Sequence, residues 1–394
     1  MPGFRSPEDR ATIKAKKPSF TLIAECGSNH NGDLDRALTL IAHAANAGAT
    51  HVKFQLWRPD LWYSKRAMPE QYDKVLELIM PPEWIPTLAA QCKGHGVGFL
   101  CTAFDELSLA VVEPYVEAIK IASGDINNVP LLRAAAETGK PILLSTGAST
   151  LDEVDVAART LAWGAMAVPS DLDLTLLHCV SAYPTPLDQA NLSAIKYLAS
   201  RSPWPFTSAC QIYETKNVPL LDVHIGYSDH TADPYAIWCA YCLGARVFEM
   251  HFDLVDGKGV ETGHSITSDK LSFIRAGLKD LSNSGNYVTA TERGIDPHWT
   301  LHFCRAVHTM VGGATKRPML CELPERDWAR RGIYTTRPVK EGEPLEGAIR
   351  ALRPACAVGG GEKPISVSDW DGVVGGKADR DISGDMPITR GDAV

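Results

Sequence analysis

Lysines, histidines and hydroxyls stand at the ends of short apolar runs in this chain. Lys53 and Gln55 end the run His51-Val-Lys-Phe-Gln-Leu-Trp57, Lys120 and Ser123 end another, and Ser145-Thr146-Gly147 ends a third. His230 follows one run, and His251 sits near the end of the last. Two ammonium groups with Thr102, Ser123 and Ser145 can hold a phosphate and a carboxylate through charge-assisted hydrogen bonds. Two imidazoles with nearby carboxylates suit Mn²⁺, Fe²⁺ or Zn²⁺ better than Ca²⁺. Glu25, in Ile23-Ala-Glu-Cys-Gly-Ser-Asn-His-Asn-Gly-Asp33, is a further candidate. Helix capping by Asn31 or Asp33 accounts for part of that loop and leaves Glu25 unexplained. Each group also has a plain structural reading. The lysines can pair with acids on neighbouring strands, each histidine alone can be structural, and one lysine can serve as a Schiff-base amine.

These groups need a frame that makes them meet. Apolar, β-branched runs recur at 20–26, 51–57, 97–103, 117–123, 141–146, 173–180, 222–228 and 246–252, with helical patterns between them. Asn31-Gly-Asp33 opens the first helix, and Leu34, Leu38, Ile41 and Ala45 follow at helical spacing. After Ser268-Asp269, the last helix repeats the pattern with Leu271, Ile274, Leu278 and Leu281. Eight alternations predict an α/β fold, a (β/α)8 TIM barrel, with an open doubly wound sheet as the alternative. Alternation within the runs favours the barrel. Val52, Phe54 and Leu56 oppose Lys53, Gln55 and Trp57, while Phe248, Met250 and Phe252 oppose Val247, Glu249 and His251. Leu22, Ala24 and Cys26 oppose Ile23, Glu25 and Gly27 in the same way. A barrel strand packs its outer face on helices and turns polar inside near its C-terminal rim.

Bulk properties narrow the function. With 394 residues, the chain has room for a large domain and an appendage. A net charge of -8 argues against a nucleic-acid or anionic-membrane surface, though not against a local lysine cluster. No apolar stretch approaches the roughly 20 residues of a membrane helix. The start carries no apolar signal core and reads as a tail, 1–18, on a cytoplasmic protein. The 10 cysteines do not form a disulfide framework. Cys26, Cys101 and Cys179 lie within strands, and Cys239-Ala-Tyr-Cys242 falls in a helical apolar stretch, so core packing is the expected role of all five.

The barrel pattern spans 19–282 and stops there. Residues 283–328 read as connecting structure with a helix around 298–310. The stretch 329–394 reads as a small β-rich domain: Arg331-Gly-Ile-Tyr-Thr-Thr336 is strand-like, Lys340-Glu-Gly-Glu343 is a turn, and Gly359-Gly-Gly361 is flexible. The aromatic cluster Trp57, Trp62, Tyr63 and Tyr72 follows the second strand and reads equally as a lid or as interface packing.

Taken in order, these segments resemble the sialic acid synthase family, which condenses phosphoenolpyruvate with an N-acylated hexosamine to a nine-carbon 2-keto-3-deoxy acid. The matching stretches are Ile23-Ala-Glu-Cys-Gly-Ser-Asn-His-Asn-Gly32, Val52-Lys-Phe-Gln55, Phe99-Leu-Cys-Thr-Ala-Phe-Asp105, Ile119-Lys-Ile-Ala-Ser-Gly-Asp125 and Leu144-Ser-Thr-Gly147. Leu177-His-Cys-Val-Ser-Ala-Tyr-Pro-Thr-Pro186, Gly226-Tyr-Ser-Asp-His-Thr231 and Glu249-Met-His-Phe252 continue the order. The tail resembles the family's antifreeze-like (SAF) domain through Leu352-Arg-Pro354 and Gly376-Lys377. The resemblance implies that Lys53, Thr102, Lys120, Ser123, Ser145 and Ser228 contact phosphoenolpyruvate. It implies that His230 and His251 hold a divalent metal, Mn²⁺ or Mg²⁺, that polarises the open-chain aldehyde. Glu25 would position or activate the water that adds at C2, and Gln55, Tyr183 and Asp125 would face the sugar. Arg353 would be delivered to the partner subunit's sugar site, which implies a domain-swapped homodimer.

Departures fall where the sugar binds. Asn of the N-acetylmannosamine-using bacterial members is Ser181 here, and their Glu is Asp125. Both residues occur in relatives that take other acylated hexosamines. The usual Gly-Pro-Asp corresponds to Gly259-Val-Glu261, with Ser265 as anchor, and Arg-Pro-Gly is Arg353-Pro-Ala. Stretches 201–222 and 283–328 are longer than usual. The expected activity is metal-dependent condensation with release of phosphate. The alternatives are a Schiff-base pyruvate aldolase on the same barrel and a non-catalytic sugar-acid-binding homologue.

Overall fold

The computed structural model describes residues 20–168, 172–201, 223–284, 305–358 and 361–392. The expected N-terminal tail, residue 222 of the seventh run, most of 201–222, residues 285–304 and Gly359-Gly360 lie outside the described residues.

Eight parallel strands close into a barrel, which decides against the open sheet. They are β1 (Thr21–Gly27), β2 (His51–Leu56), β3 (Gly98–Ala103), β4 (Ile119–Ile121), β5 (Ile142–Ser145), β6 (Leu174–His178), β7 (Val223–Asp229) and β8 (Val247–His251). Closure comes from β1, which pairs with both β2 and β8. Every expected run contains a strand, but β4 is only Ile119–Ile121, because Ser123–Asp125 already turns as a 3-10 helix.

Strand alternation works as expected. The outward residues Leu22, Ala24, Val52, Phe54, Phe248 and Met250 are buried in one large core with the surrounding helices. Inside, Ile23, Leu100, Leu143 and Leu177 form a separate apolar plug. One inward position further along, the side chains become Glu25, Thr102, Ser145 and, on β8, Glu249 and His251. The plug keeps water out from below, so the polar layer opens only to the C-terminal mouth.

The helix Leu34–Ala47 begins at Asp33, whose carboxylate accepts the N–H groups of Asp35 and Arg36, and ends at Gly48 in the left-handed conformation. Its buried stripe is Ala37, Leu40, Ile41, Ala44 and Ala47. Leu34, Leu38 and Ala45 are only half-buried, because the helix meets the helices Ile85–Gly94 and Ser268–Ser284 as well as the strands. On Ser268–Ser284 the expected residues Leu271, Ile274, Leu278 and Leu281 are all buried. Cys26, Cys101, Cys179 and Cys239 are buried, whereas Cys242, the last residue of its helix, is exposed and does not pack in the core. Among the described residues, no helix is long and apolar enough to cross a membrane.

Residues 305–310 are helical, within the helix expected around 298–310. The connecting chain continues as the helix Leu323–Ala329. Beyond it, β9 (Gly332–Thr335) pairs antiparallel with β10 (Ile349–Leu352). Ile333, Val339, Leu345, Val367, Ile382 and Ile388 give this unit its own core. The unit is tied to the barrel mouth through the loop after β2. Arg353 N–H donates to the Trp62 carbonyl at 2.9 Å, and Ser64 N–H donates to the Arg353 carbonyl at 3.0 Å. Trp62 stacks between Trp57, Tyr63 and Phe104 with ring centroids 4.4–5.1 Å away, so the aromatic cluster is packing between barrel and tail. Tyr72 stands apart, against Lys65.

Candidate active site

Strand register assembles the polar layer. It sets Glu25 beside Lys53 and beside His251, Gln55 beside Thr102, Thr102 beside Lys120, and Ser228 beside Glu249. These groups line a cavity of about 650 Å³ at the C-terminal mouth. Glu25, Lys53, Gln55, Thr102, Lys120, Ser123, Ser145, Ser181, Tyr183, Ser228, His230, His251, Glu261 and Arg353 all line it.

Both lysines are buried and both are paired with acids, so the structural reading of them also holds. Lys53 is paired with Glu25, lies 3.6 Å from Glu249 and donates to Thr102 Oγ1 at 2.9 Å. Burial pulls its pKa down to about 8, against the opposing pull of Glu249. Lys120 lies 3.6 Å from the other oxygen of Glu249, which also accepts from Ser228 Oγ at 3.0 Å. Burial pushes the Glu249 carboxyl up, but Lys120 and Lys53 outweigh it and hold the group well below the usual carboxylate range. Glu25 accepts from Gln55 Nε2 at 3.1 Å. Two cations and two anions therefore share one buried floor, each charge facing an opposite one.

Hydroxyls dominate the β4–β5 side. Ser145 Oγ is buried without a hydrogen-bond partner among the described residues, although it faces the cavity. A buried donor left unpaired is costly and marks a place for a ligand oxygen. Ser123 Oγ lies 3.0 Å from Cys179 Sγ and accepts Gly147 N–H at 3.0 Å. A Cβ at Gly147 would collide with Ser181 Oγ, Cys179 Sγ and Ser123 Oγ, so only glycine lets these tips converge.

Imidazoles gather on the opposite side, just after β7, on β8 and in the loop after β8. His230 Nδ1 bonds the Val180 carbonyl at 2.7 Å, which leaves its Nε2 for a ligand. Burial and then His251 lower its pKa to about 3, so the ring is neutral and able to coordinate. The His230 and His251 rings lie 5.4 Å apart. His251 Nδ1 bonds Glu261 Oε2 at 2.7 Å. Ligand atoms of His251, Glu261 and His264 all lie within 4.8 Å of one another. Burial raises the Glu261 pKa, but His251 and hydrogen bonds such as that from Ser28 N–H bring it below the ordinary value. Imidazoles with one carboxylate fit a divalent first-row ion. Tyr183 covers His230 with ring centroids 4.2 Å apart.

One expectation changes. Asp125 does not face the cavity. It is fully buried beneath it, with Oδ1 held by Arg331 Nε at 2.6 Å and Oδ2 3.5 Å from Arg353. The turn at Ser123–Asp125 ends the strand early and points this carboxylate at the tail instead. Arg353 lines the cavity of this chain, its guanidinium 5.1 Å from the Trp62 ring centroid. Gly124 makes room for it, since a Cβ there would strike the guanidinium.

Glu249 and His264 complete the site and were not among the expected residues. Glu249 was legible as the inward residue two before His251. His264 stands three after Glu261, a spacing that could have drawn attention. Cys321, Glu325 and Ala329 of the connecting chain also line the cavity, and nothing in their sequence signals it.

Comparison with known proteins bears on this arrangement. The family model described as "NeuB family" matches residues 40–207 and 214–288. Spore coat polysaccharide biosynthesis protein SpsE of Bacillus subtilis (strain 168) is 31% identical over 97% of this chain and 95% of its own. This chain belongs to the NeuB family. The crystal structure of SpsE superposes with a TM-score of 0.74 at 30% identity, covering 95% of each chain. N,N'-diacetyllegionaminic acid synthase of Legionella pneumophila is 31% identical over 94% of both chains. Sugar-acid synthases are thus among the relatives of this chain, as the sequence resemblance implied.

Proposed function

We propose that this NeuB-family chain condenses phosphoenolpyruvate with an open-chain N-acylated hexosamine, N-acetylmannosamine or a related sugar. The product is a nine-carbon 2-keto-3-deoxy acid, and inorganic phosphate is released. The observation that carries this reading is the division of one cavity into an anion side and an imidazole–carboxylate side. Lys53, Lys120, Thr102, Ser123, Ser145 and Ser228 would hold the phosphate and carboxylate of phosphoenolpyruvate. His230, His251, Glu261 and His264 would hold Mn²⁺ or Mg²⁺, which when bound polarises the sugar aldehyde. The C3 carbon of phosphoenolpyruvate then attacks that aldehyde, and positive charge develops at C2. Glu25, held between Lys53 and Gln55, orients water onto C2 and takes its proton, and the adduct collapses with C–O cleavage to phosphate and ketone. Gln55, Ser181, Tyr183 and Arg353 would face the sugar. The tail would act as the antifreeze-like domain that supplies Arg353.

Phosphate release from phosphoenolpyruvate tests the reading, with Mn²⁺ and a panel of N-acetylmannosamine, mannose and diacetylated dideoxyhexoses, each with and without EDTA. Sugar-dependent, EDTA-sensitive release is expected. Trapping of substrate by borohydride together with indifference to EDTA would instead establish a Schiff-base aldolase.

A further inference from the structure

The loop after β5 has an unusual conformation and an unusual support. Ala148 sits at φ 50°, a left-handed value that costs a non-glycine residue about 1 kcal/mol or more. Two buried charges hold it there, Glu322 from the connecting chain and Arg330 from the start of the tail. Glu322 is fully buried, and its Oε1 accepts from Ala148 N–H and from Ser181 N–H, each at 2.6 Å. Its Oε2 accepts from Met319 N–H at 2.7 Å, so the carboxylate joins the loops after β5 and β6 to the connecting chain. Arg330 is 4% exposed. Its guanidinium donates to the carbonyls of Ser123, Gly147 and Ala148, the last at 2.9 Å, and to Ser149 Oγ at 2.8 Å. Burial lowers the Arg330 pKa only to about 10, so it stays charged.

One ion thus collects amides and the other collects carbonyls from the same wall of the cavity. Arg330 does not itself line the cavity. By drawing three carbonyl oxygens toward itself, it keeps their partial negative charge off the surface that would receive an anion. What remains on that surface is Ser123, Ser145 and the Lys120 ammonium. The family match ends at residue 288, so it does not include either ion.

We infer that Glu322 and Arg330 are positioning residues for the phosphate half of the site, and that the cavity binds its anionic substrate only while the connecting chain is docked. This rests on the reading of the hydroxyl side as the phosphate side. Neither ion touches substrate; they act through Ser123, Gly147, Ala148 and Ser181.

Calorimetric binding of phosphoenolpyruvate and steady-state kinetics test it on the full chain, with Glu322→Gln and Arg330→Lys. Each variant is expected to weaken phosphoenolpyruvate binding by roughly tenfold or more, the scale of a lost charged hydrogen bond. The Mn²⁺ affinity should stay within about twofold in both, and so should the sugar KM in Arg330→Lys, whereas Glu322→Gln, which also releases Ser181, should raise the sugar KM as well. Folded variants that bind phosphoenolpyruvate like the parent overturn the inference. If a variant does not fold, hydrogen exchange on the unmutated protein decides: phosphoenolpyruvate should slow exchange at 319–331, and unchanged exchange there overturns it. A parent protein that binds no phosphoenolpyruvate defeats the functional reading itself and this inference with it.

Discussion

Replacing Arg331 by methionine should separate the tail from the barrel mouth. Its guanidinium is wholly buried and donates to Asp125 Oδ1 at 2.6 Å, Phe104 O at 2.6 Å, Leu61 O at 2.8 Å, Ala351 O at 3.1 Å and Trp62 O at 3.2 Å. These acceptors belong to the loop after β2, the end of β3, the turn after β4 and β10, so one side chain joins four pieces of chain. Methionine fills much of the volume and removes the charge. Asp125 is then a buried carboxylate whose nearest cation is Arg353 at 3.5 Å. Breaking a buried pair from one side costs about 3–5 kcal/mol, a large share of the roughly 5–15 kcal/mol that separates folded from unfolded states. With a urea slope of about 2–3 kcal/mol per M, a loss of about 4 kcal/mol moves the midpoint down by roughly 1.3–2 M. Urea denaturation followed by tryptophan fluorescence measures it, since Trp62 lies at this junction. The Arg331→Met/Asp125→Asn double variant should recover part of the loss, because the orphaned charge is gone. A midpoint for Arg331→Met within about 0.3 M of the parent would refute the reasoning, as would a double variant no better than the single one.

Other perturbations read different parts of the site. Removing the His251 side chain should abolish Mn²⁺ binding measured by calorimetry, and His264→Ala should weaken it by roughly tenfold; a parent-like affinity in both would remove the metal from this corner. Ser145→Ala should raise the phosphoenolpyruvate KM by roughly tenfold with an unchanged or higher melting temperature, because the hydroxyl it removes is buried without a partner among the described residues. Lys53, at about pKa 8, is an ammonium below that pH and neutral above it. The apparent kcat/KM for phosphoenolpyruvate should therefore fall as pH rises past about 8, while kcat, reporting the complex in which a bound anion raises that pKa, should fall later. A flat profile from pH 7 to 10 would exclude a charged Lys53 from substrate binding.

Much of this protein was legible from period and position. Alternation in the strands identified the barrel and which side chains face inward, because a two-residue period leaves no freedom once the outer face must be apolar. Lys53, Lys120, Glu25 and His251 followed from that. Asp125, which the resemblance implied would face the sugar, turns to the tail instead, because the 3-10 turn at Ser123–Asp125 redirects its carboxylate to Arg331. His264 lies beyond any strand and reaches the imidazole cluster through a loop, whose path periodicity does not describe.

Local pattern by itself determined the repeating strands and helices, the two lysines on one rim and the change of character near residue 329. Tertiary structure alone decided which acids meet those lysines, since that depends on the register between strands distant in the chain. It likewise decided that Glu322, Arg330 and Arg331 from outside the barrel complete its mouth. A charge in a connecting segment looks in sequence like any solvated residue. Only burial, which demands a partner for every charge taken from water, gives it a role.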